Sequence, residues 1–587
     1  MDGIHVAEGE LDCLVIGAGP AGLQLGYFLE SSRRSYVILE ATAAVASFFR
    51  RFPRQRELIS FNKVQSVYTD PEIRLRWDWN SLLTEGYELE FREFSDDLYP
   101  HADDLARYLE AFAEKYVLKI SYNARVENVH REPDGRFRVR LTDGRTLRAR
   151  SVVVATGLSD AYLPDIPGVE LAEGYETASL DPEDYRGKKL LIIGKGNSAF
   201  ELADTVLNVA ALVHLASPHP VRLAWNTKHP GHVRAHAVRM LDMYQLKLLN
   251  SALDCTIESI EPRSDGFAVS VAYVHAAGER ETILYDVVVR CTGFRHDGSI
   301  FDDTCCPTPV FDGRLPEMTS QWESTTAEGI FYAGTLMQAR DFKRASSAFI
   351  DGFRYNIRTL HRFLEQRFHG GSLLDETLDA TPEVLTDWIL HRVSRTSALW
   401  AQFGFLCDAV VIDKATGKAR IYSELPIDYV HESDIGRTDH YYTITFEWGS
   451  WVGDVFAIER HPAGETADKS AFLHPILRRF SNGRELAAHH VLEDLFGTYR
   501  AEGESGAVLK RQTLGLGRYH ASAHLEPMRQ FFETELGGRA DSPLGRKAEV
   551  DDSLDNDRLG VEARKAVDRD GQDADLQPGA EALAKPR

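Results

Sequence analysis

Read for its apolar positions, the chain opens on a short unbroken run, Leu11–Ile16, then a glycine-rich turn, a stretch with apolar residues at helical spacing, and a second apolar run that ends at Glu40. Continuous apolar runs are the mark of buried parallel strands and three-to-four-residue spacing that of a helix, so this segment predicts strand, turn, helix, strand. The same order returns in KLLIIGKGNSAFELADTVLNVAALVHLAS, Lys189–Ser217. Three more apolar runs end on glycine: SVVVATG at Gly157, DVVVRCTG at Gly293 and GIFYAG at Gly334, the last followed by a helix-like stretch from Ser346 to Leu364. Further on, PEVLTDWILHRV has helical spacing and HYYTITFEWG the alternation of a strand, which together predict a packed α+β extension. FGFLCDAVV, Phe403–Val411, predicts a core segment with Cys407 as a small hydrophobe, and HHVLED predicts a helix with His489 over Glu493 and His490 over Asp494. Asp541–Arg587 has no aromatic residue and no isoleucine, too little apolar surface to offset the entropy of ordering, and is expected to be disordered.

Composition narrows the class. The 587 residues suffice for about three to four domains, and 43% hydrophobic with 27% charged residues is ordinary for a folded chain. Lys+Arg 67 against Asp+Glu 89 leaves −22, which repels phosphate backbones and anionic lipid, so nucleic acid is excluded as a partner. No run approaches about 18 uninterrupted apolar residues and the first residues carry no basic and apolar leader, so a cytoplasmic protein without a membrane span is expected. The six cysteines include no C-x-x-C pair, which argues against a zinc ribbon or a dithiol reductase, and no metal is expected at His489 and His490 because no third ligand cluster accompanies them.

The two glycine-rich turns carry the chemistry. Gly17 permits the tight turn, Gly19 lets a pyrophosphate approach the backbone, Pro20 and Ala21 open the helix, and Gly22 lets it pack on the strand. The helix N-terminus presents its positive end to phosphate, and Glu40 can accept both hydroxyls of an adenosine ribose. In the second turn Gly194, Gly196 and Ala199 hold the same places, with Asn197 and Ser198 between them. Its second strand ends at Ser217, not at an acid, and Arg222 follows, so a 2′-phosphate is not repelled and NADPH is favoured over NADH. The fold class expected is α/β with two Rossmann-like dinucleotide-binding domains, one inserted in the other. Residues 1–160 and 323–367 would bind FAD, 161–322 NADPH, and 368–540 would form the extension.

Taken together, GAGPAG, ATG, GKGNSA, CTG and FYAG over about residues 10–365 resemble the two-dinucleotide flavoproteins of the flavin-containing monooxygenase type. ELISFNKVQSVYTDPEIRLRWDWNSLL, GYETASLDPEDYRGKKLLIIGKGNSAFE and AFIDGFRYNIRTLHRFLEQRFHG are similar to the flavoproteins linked to endoplasmic-reticulum-associated degradation and their bacterial relatives, a group that includes amino-acid N-monooxygenases forming nitrosuccinate from L-aspartate. A chain beginning MDGIHVAEGE and ending EALAKPR is not expected to share the lumenal role. The resemblance implies FAD, NADPH and O2, a flavin hydroperoxide that meets a small amine or amino acid, and no nucleophilic triad. A flavin reductase or oxidase with another acceptor, or a flavoprotein interaction module, are the alternatives. Self-association is left open.

Candidate residues follow from their positions in these segments. Asn62 either hydrogen-bonds the reacting region of the flavin or is a turn residue, and Lys63 either holds a substrate carboxylate or is an exposed lysine. Arg290 ends a buried strand, and a buried guanidinium needs an anion, which is either a structural carboxylate or the substrate. Lys63 with Arg290 would suit an acidic amino acid, and Arg437 in ESDIGRTDH could reach the site from the extension. Arg340, Lys343 and Arg344 lie near the last glycine turn, and the His- and Arg-rich segment 225–244 could cover NADPH or form a lid.

Overall fold

A computed structural model describes residues 10–66, 68–234, 239–240, 250–450, 464–494, 497, 499 and 521–537. The expected disorder of 541–587 and part of the 225–244 segment lie outside the described residues.

In the first sheet Leu11–Ile16 is central, parallel to Tyr36–Leu39 on one side and to the second half of Thr146–Val154 on the other. Ile120–Ser121 extends one edge. Ile330–Tyr332 returns from far along the chain to pair with Val152–Val154 at the other. The first half of Thr146–Val154 instead joins an antiparallel meander with Phe137–Leu141 and Val126–Arg131. The second sheet repeats this plan around Lys189–Ile193: Leu212–Ser217 and Ser251–Arg263 run parallel on one side, Val287–Arg290 and Glu173–Gly174 on the other, and Gly266–Tyr273 and Arg280–Tyr285 complete a meander. Between the sheets, Asp160–Ala161 pairs with Phe294–Arg295, so the segments that follow the two glycine turns at Gly157 and Gly293 form one ribbon through which the chain leaves and returns. The central strands are buried on both faces, which is why they read as unbroken apolar runs.

A third, antiparallel sheet orders its strands as Glu376–Asp379, Lys418–Pro426, Leu406–Asp413, Tyr441–Glu447, His474–Ser481 and Arg484–His490. Helix Pro382–Arg395 starts where Thr381 Oγ1 accepts the Val384 N–H (3.3 Å) and proline occupies the first turn, and it buries Leu385, Ile389, Leu390 and Val393. The HHVLED expectation is corrected here. Arg484–His490 is a strand, His489 stacks on Phe531, His490 Nδ1 lies 3.0 Å from His474 Nε2, and no metal-ligating cluster forms among the described residues.

This extension is bound to the first domain by buried charge. Arg358, on helix Ile350–His369, donates to both oxygens of Glu424 (2.6–2.9 Å). Arg392 donates to Glu424 Oε1 (3.0 Å) and to Asp408 Oδ2 (2.6 Å). Arg76 donates to Val393 O, Thr396 O and Gly497 O, and Arg354 to Leu75 O and Ser81 O. The block 57–83 is therefore clamped between the extension and helix Ile350–His369. Asp408 next to Cys407 is fully buried, a feature hidden inside an apolar run. No described helix is long and apolar enough to cross a membrane.

Candidate active site between the two nucleotide cradles

The three residues of the first glycine turn act in three different ways. Gly17 has φ +108°, and a Cβ there would lie 2.7 Å from Ala155 O. A Cβ on Gly22 would lie 1.9 Å from Gly17 O, so helix Pro20–Ser31 can sit this close only without a side chain. A Cβ on Gly19 would meet nothing within 4 Å: there is open space in front of the helix N-terminus, where a pyrophosphate fits. Glu40 is buried, accepting the Ala18 N–H on Oε2 (3.0 Å) and the Thr42 N–H on Oε1 (3.0 Å), which holds the carboxylate at the ribose end of the turn. Gly157 (φ +64°) also faces open space, and Gly334 (φ +75°) packs against Ala21. Thr335 Oγ1 donates to Ala348 O (3.0 Å), so the last glycine turn joins the N-terminus of helix Pro20–Ser31 to that of helix Ile350–His369. These residues fit FAD along the line between the two helix ends.

The second turn is built alike. A Cβ on Gly194 (φ +122°) would lie 2.3 Å from Cys291 O, Gly196 and Gly293 face open space, and Ala199 is fully buried. Ser198 lines a small enclosed cavity with Tyr175 and Cys291. At the ribose end Ser217 Oγ donates to His219 O (3.1 Å). The sequence showed no acid here, yet Asp254 is the register partner of Ser217 on the next strand. Lys195 neutralises it in a direct ion pair and also donates to His219 O (2.9 Å), so the end still suits a 2′-phosphate.

A strap over residues 229–234 joins the two cradles. Asn197, first in the second cradle's helix, donates through Nδ2 to Gly231 O and His232 O (both 3.1 Å) and accepts the Arg234 N–H on Oδ1 (3.0 Å). Gly231 lies against Phe349, the residue that starts helix Ile350–His369. Burial and neighbouring cations pull His229 and His232 down to about 4, so both are neutral at pH 7. Arg234 turns to the first domain, its guanidinium 4.5 Å from the Phe61 ring centre and 5.1 Å from that of Trp79. Asn62, next to Phe61, is 2% exposed and donates through Nδ2 to Ser95 O (2.7 Å). Asp351, in the first turn of helix Ile350–His369, is buried with Oδ1 unpartnered, and burial pushes its carboxyl up to about 7. Neither Arg234 nor Asp351 stood out in the sequence.

The candidate cations are not brought together. Arg290 pairs with Glu176 (3.0 Å), a carboxylate of its own chain. Arg437 pairs with Asp434 (2.9 Å) and lines a groove with Gln366, near the C-terminal end of helix Ile350–His369 and on the order of 20 Å from its N-terminus at 1.5 Å per residue. Arg340 is ion-paired to Asp428. Lys63 is exposed and lines a groove of about 470 Å³ with Phe61, Tyr68 and Trp77. All six cysteines are free, and burial pushes the Cys291 thiol up.

Comparison with known proteins agrees with this architecture. Residues 14–334 match the pyridine nucleotide-disulphide oxidoreductase family. The mouse FAD-dependent oxidoreductase domain-containing protein 2 is 35% identical over 544 residues, spanning 84% of this chain and 81% of that protein. The probable indole-3-pyruvate monooxygenase YUCCA1 of Arabidopsis thaliana is 28% identical over 37% of this chain and 47% of its own. A flavin-containing monooxygenase from Stenotrophomonas maltophilia is a structural neighbour at 24% identity and TM-score 0.47, covering 61% of this chain and 98% of its own. The chain belongs to the pyridine nucleotide-disulphide oxidoreductase family and is an α/β flavoprotein with FAD and NADPH as its cofactors.

Proposed function

We propose that the protein is an NADPH- and O2-dependent monooxygenase that N-oxygenates a small amine or amino acid in the cytoplasm, in a natural-product pathway if the substrate is L-aspartate and the product nitrosuccinate. One observation carries the reading: Asp351 sits where the two cradles meet with an unpartnered carboxylate oxygen and a proton affinity near neutrality. An amine must lose its ammonium proton before nitrogen can attack oxygen, and a base held near pH 7 is suited to take it. Bound FAD would supply hydride acceptance and oxygen activation. The chain's own part is to seat FAD on Gly17, Gly19, Gly22 and Glu40 and NADPH on Gly194, Gly196 and Ala199, to exclude water with Phe61 and Trp79, and to hold the substrate's proton on Asp351 Oδ1. Asn62 lines the same wall and Lys63 its outer groove, which could take a carboxylate. Free cysteines suit a reducing compartment and leave no dithiol for a disulphide acceptor.

The test is incubation with NADPH, ¹⁸O2 and a panel of amines headed by L-aspartate. Label in a hydroxylamine or nitro product supports the reading, whereas NADPH oxidation with ¹⁸O2 reduced only to labelled peroxide makes the protein an oxidase. Little turnover with a stable protein partner makes it an interaction module. For the base, Asp351→Asn should lower turnover about a hundredfold and remove the rise in rate as pH passes through about 7, because the wild-type carboxyl is ionised only above that point. Flavin content and the pH–rate profile check it, and an unchanged profile would remove Asp351 from the chemistry.

A further inference from the structure

Arg76, Arg354 and Arg234 are buried around the block 57–83 and Arg358 is half-buried; of the first two, only the Arg354 Nε is left without a partner. Arg358 pairs with Glu424, Arg76 donates to three carbonyls, and Arg354 to two carbonyls and the Tyr355 hydroxyl. Arg234 differs. It is 7% exposed and makes no ion pair among the described residues. Nη1 donates to Pro230 O at 3.3 Å, and the other polar partner among the described residues is the Tyr99 hydroxyl. A guanidinium has five N–H donors, and stacking on two rings offsets only part of the cost of taking its charge out of water.

We infer that Arg234 anchors an oxyanion at the junction and that this oxyanion is the carboxylate of the substrate. The rings of Phe61 and Trp79 lie on its face, so the edge that carries the N–H fork is left for a planar anion, the geometry in which arginine holds a carboxylate with two hydrogen bonds. An oxyanion could also come from the NADPH diphosphate, because the Arg234 main chain is tied to Asn197. The side chain, however, stacks on Phe61 and Trp79 of the first domain. Asp351 and Tyr99 are the ionisable groups that act on Arg234, and neither neutralises it by contact.

The inference rests on the proposed function only in the word substrate, and its test needs no turnover. The flavin-loaded full chain, saturated with NADP+ and kept anaerobic, is titrated with acetate, succinate and L-aspartate while flavin absorbance and tryptophan fluorescence are followed. Arg234→Gln is expected to weaken the tightest of these by about tenfold or more, the worth of a charge-assisted hydrogen bond, while the NADP+ affinity stays within about twofold. Arg234→Lys, which keeps charge without the fork, should fall between, and it serves if the Gln variant loses flavin. Equal carboxylate affinity in wild type and both variants, or no carboxylate binding to wild type, overturns the inference. Loss of NADP+ affinity with carboxylate binding unchanged overturns it too, and gives Arg234 to the diphosphate. A protein that binds carboxylates through Arg234 yet yields no oxygenated amine overturns the proposed function alone.

Discussion

Gly19→Val should fold and be colourless. Gly19 is in extended backbone that any residue can adopt (φ −79°, ψ −177°), and a Cβ there meets no protein atom within 4 Å. The substitution therefore costs the apoprotein little, while its isopropyl group fills the space in front of the helix N-terminus that the pyrophosphate of FAD needs. The neighbouring position gives the contrast. Gly22→Ala places a methyl 1.9 Å from Gly17 O, so the strand and helix must separate and the protein should lose stability whether or not flavin is present. Circular dichroism and the flavin absorbance of purified protein distinguish the two. A yellow, fully loaded Gly19→Val protein would show that this turn does not hold the pyrophosphate.

Glu424→Ala should destabilise the protein by about 3 kcal/mol, because it removes the carboxylate of half-buried Arg358 and leaves Arg392 with Asp408 alone. Glu424 is 6% exposed and takes hydrogen bonds from Arg358 and Arg392, one from helix Ile350–His369 and one from the extension. The loss should appear as a lower melting temperature and as flavin release at the same temperature, since helix Ile350–His369 carries both contacts. Acid should act on the same group. Its two arginines hold the Glu424 carboxyl down at about 2, below the ordinary 4.5, so its contribution is complete above about pH 4.5 and disappears as pH falls from there towards 2. The Ala variant should lack that part of the acid sensitivity. Unchanged melting would mean that the extension is not held to the flavin domain through this network.

The cradles were legible because what makes them is local. A positive φ, a missing Cβ and a helix start all fall within a few residues, so GAGPAG and GKGNSA announce their geometry. The strands beside them were legible because burial on both faces removes the polar alternation. HHVLED was misread because its four-residue spacing fits a helix, while pairing of Arg484–His490 with His474–Ser481 put His489 and His490 on a strand from another part of the chain. The surroundings of the candidate cations depend on distant pairing in the same way. That Arg290 needs an anion could be read from its buried strand, but that the anion is Glu176, in the segment before the second turn, depends on how Val287–Arg290 pairs with Glu173–Gly174. Asp351 had no distinguishing mark, since an acid in the first turn of a helix is commonplace. Arg234 stood among the His and Arg residues of a segment read only as a cover, and its value lies in Phe61 and Trp79, which the fold brings beneath it.

The central claim is that electrons entering from NADPH leave to oxygen and an amine, although the family is named for disulphide chemistry. The direct measurement is to reduce the flavin with NADPH under anaerobic conditions and then mix the reduced protein with oxygen plus the preferred amine, or with oxidised glutathione. Rapid reoxidation by oxygen, with oxygenated amine formed in proportion to NADPH and the disulphide left intact, is the result expected. Reoxidation by the disulphide, or by oxygen with every electron recovered as peroxide whichever amine is present, would contradict it.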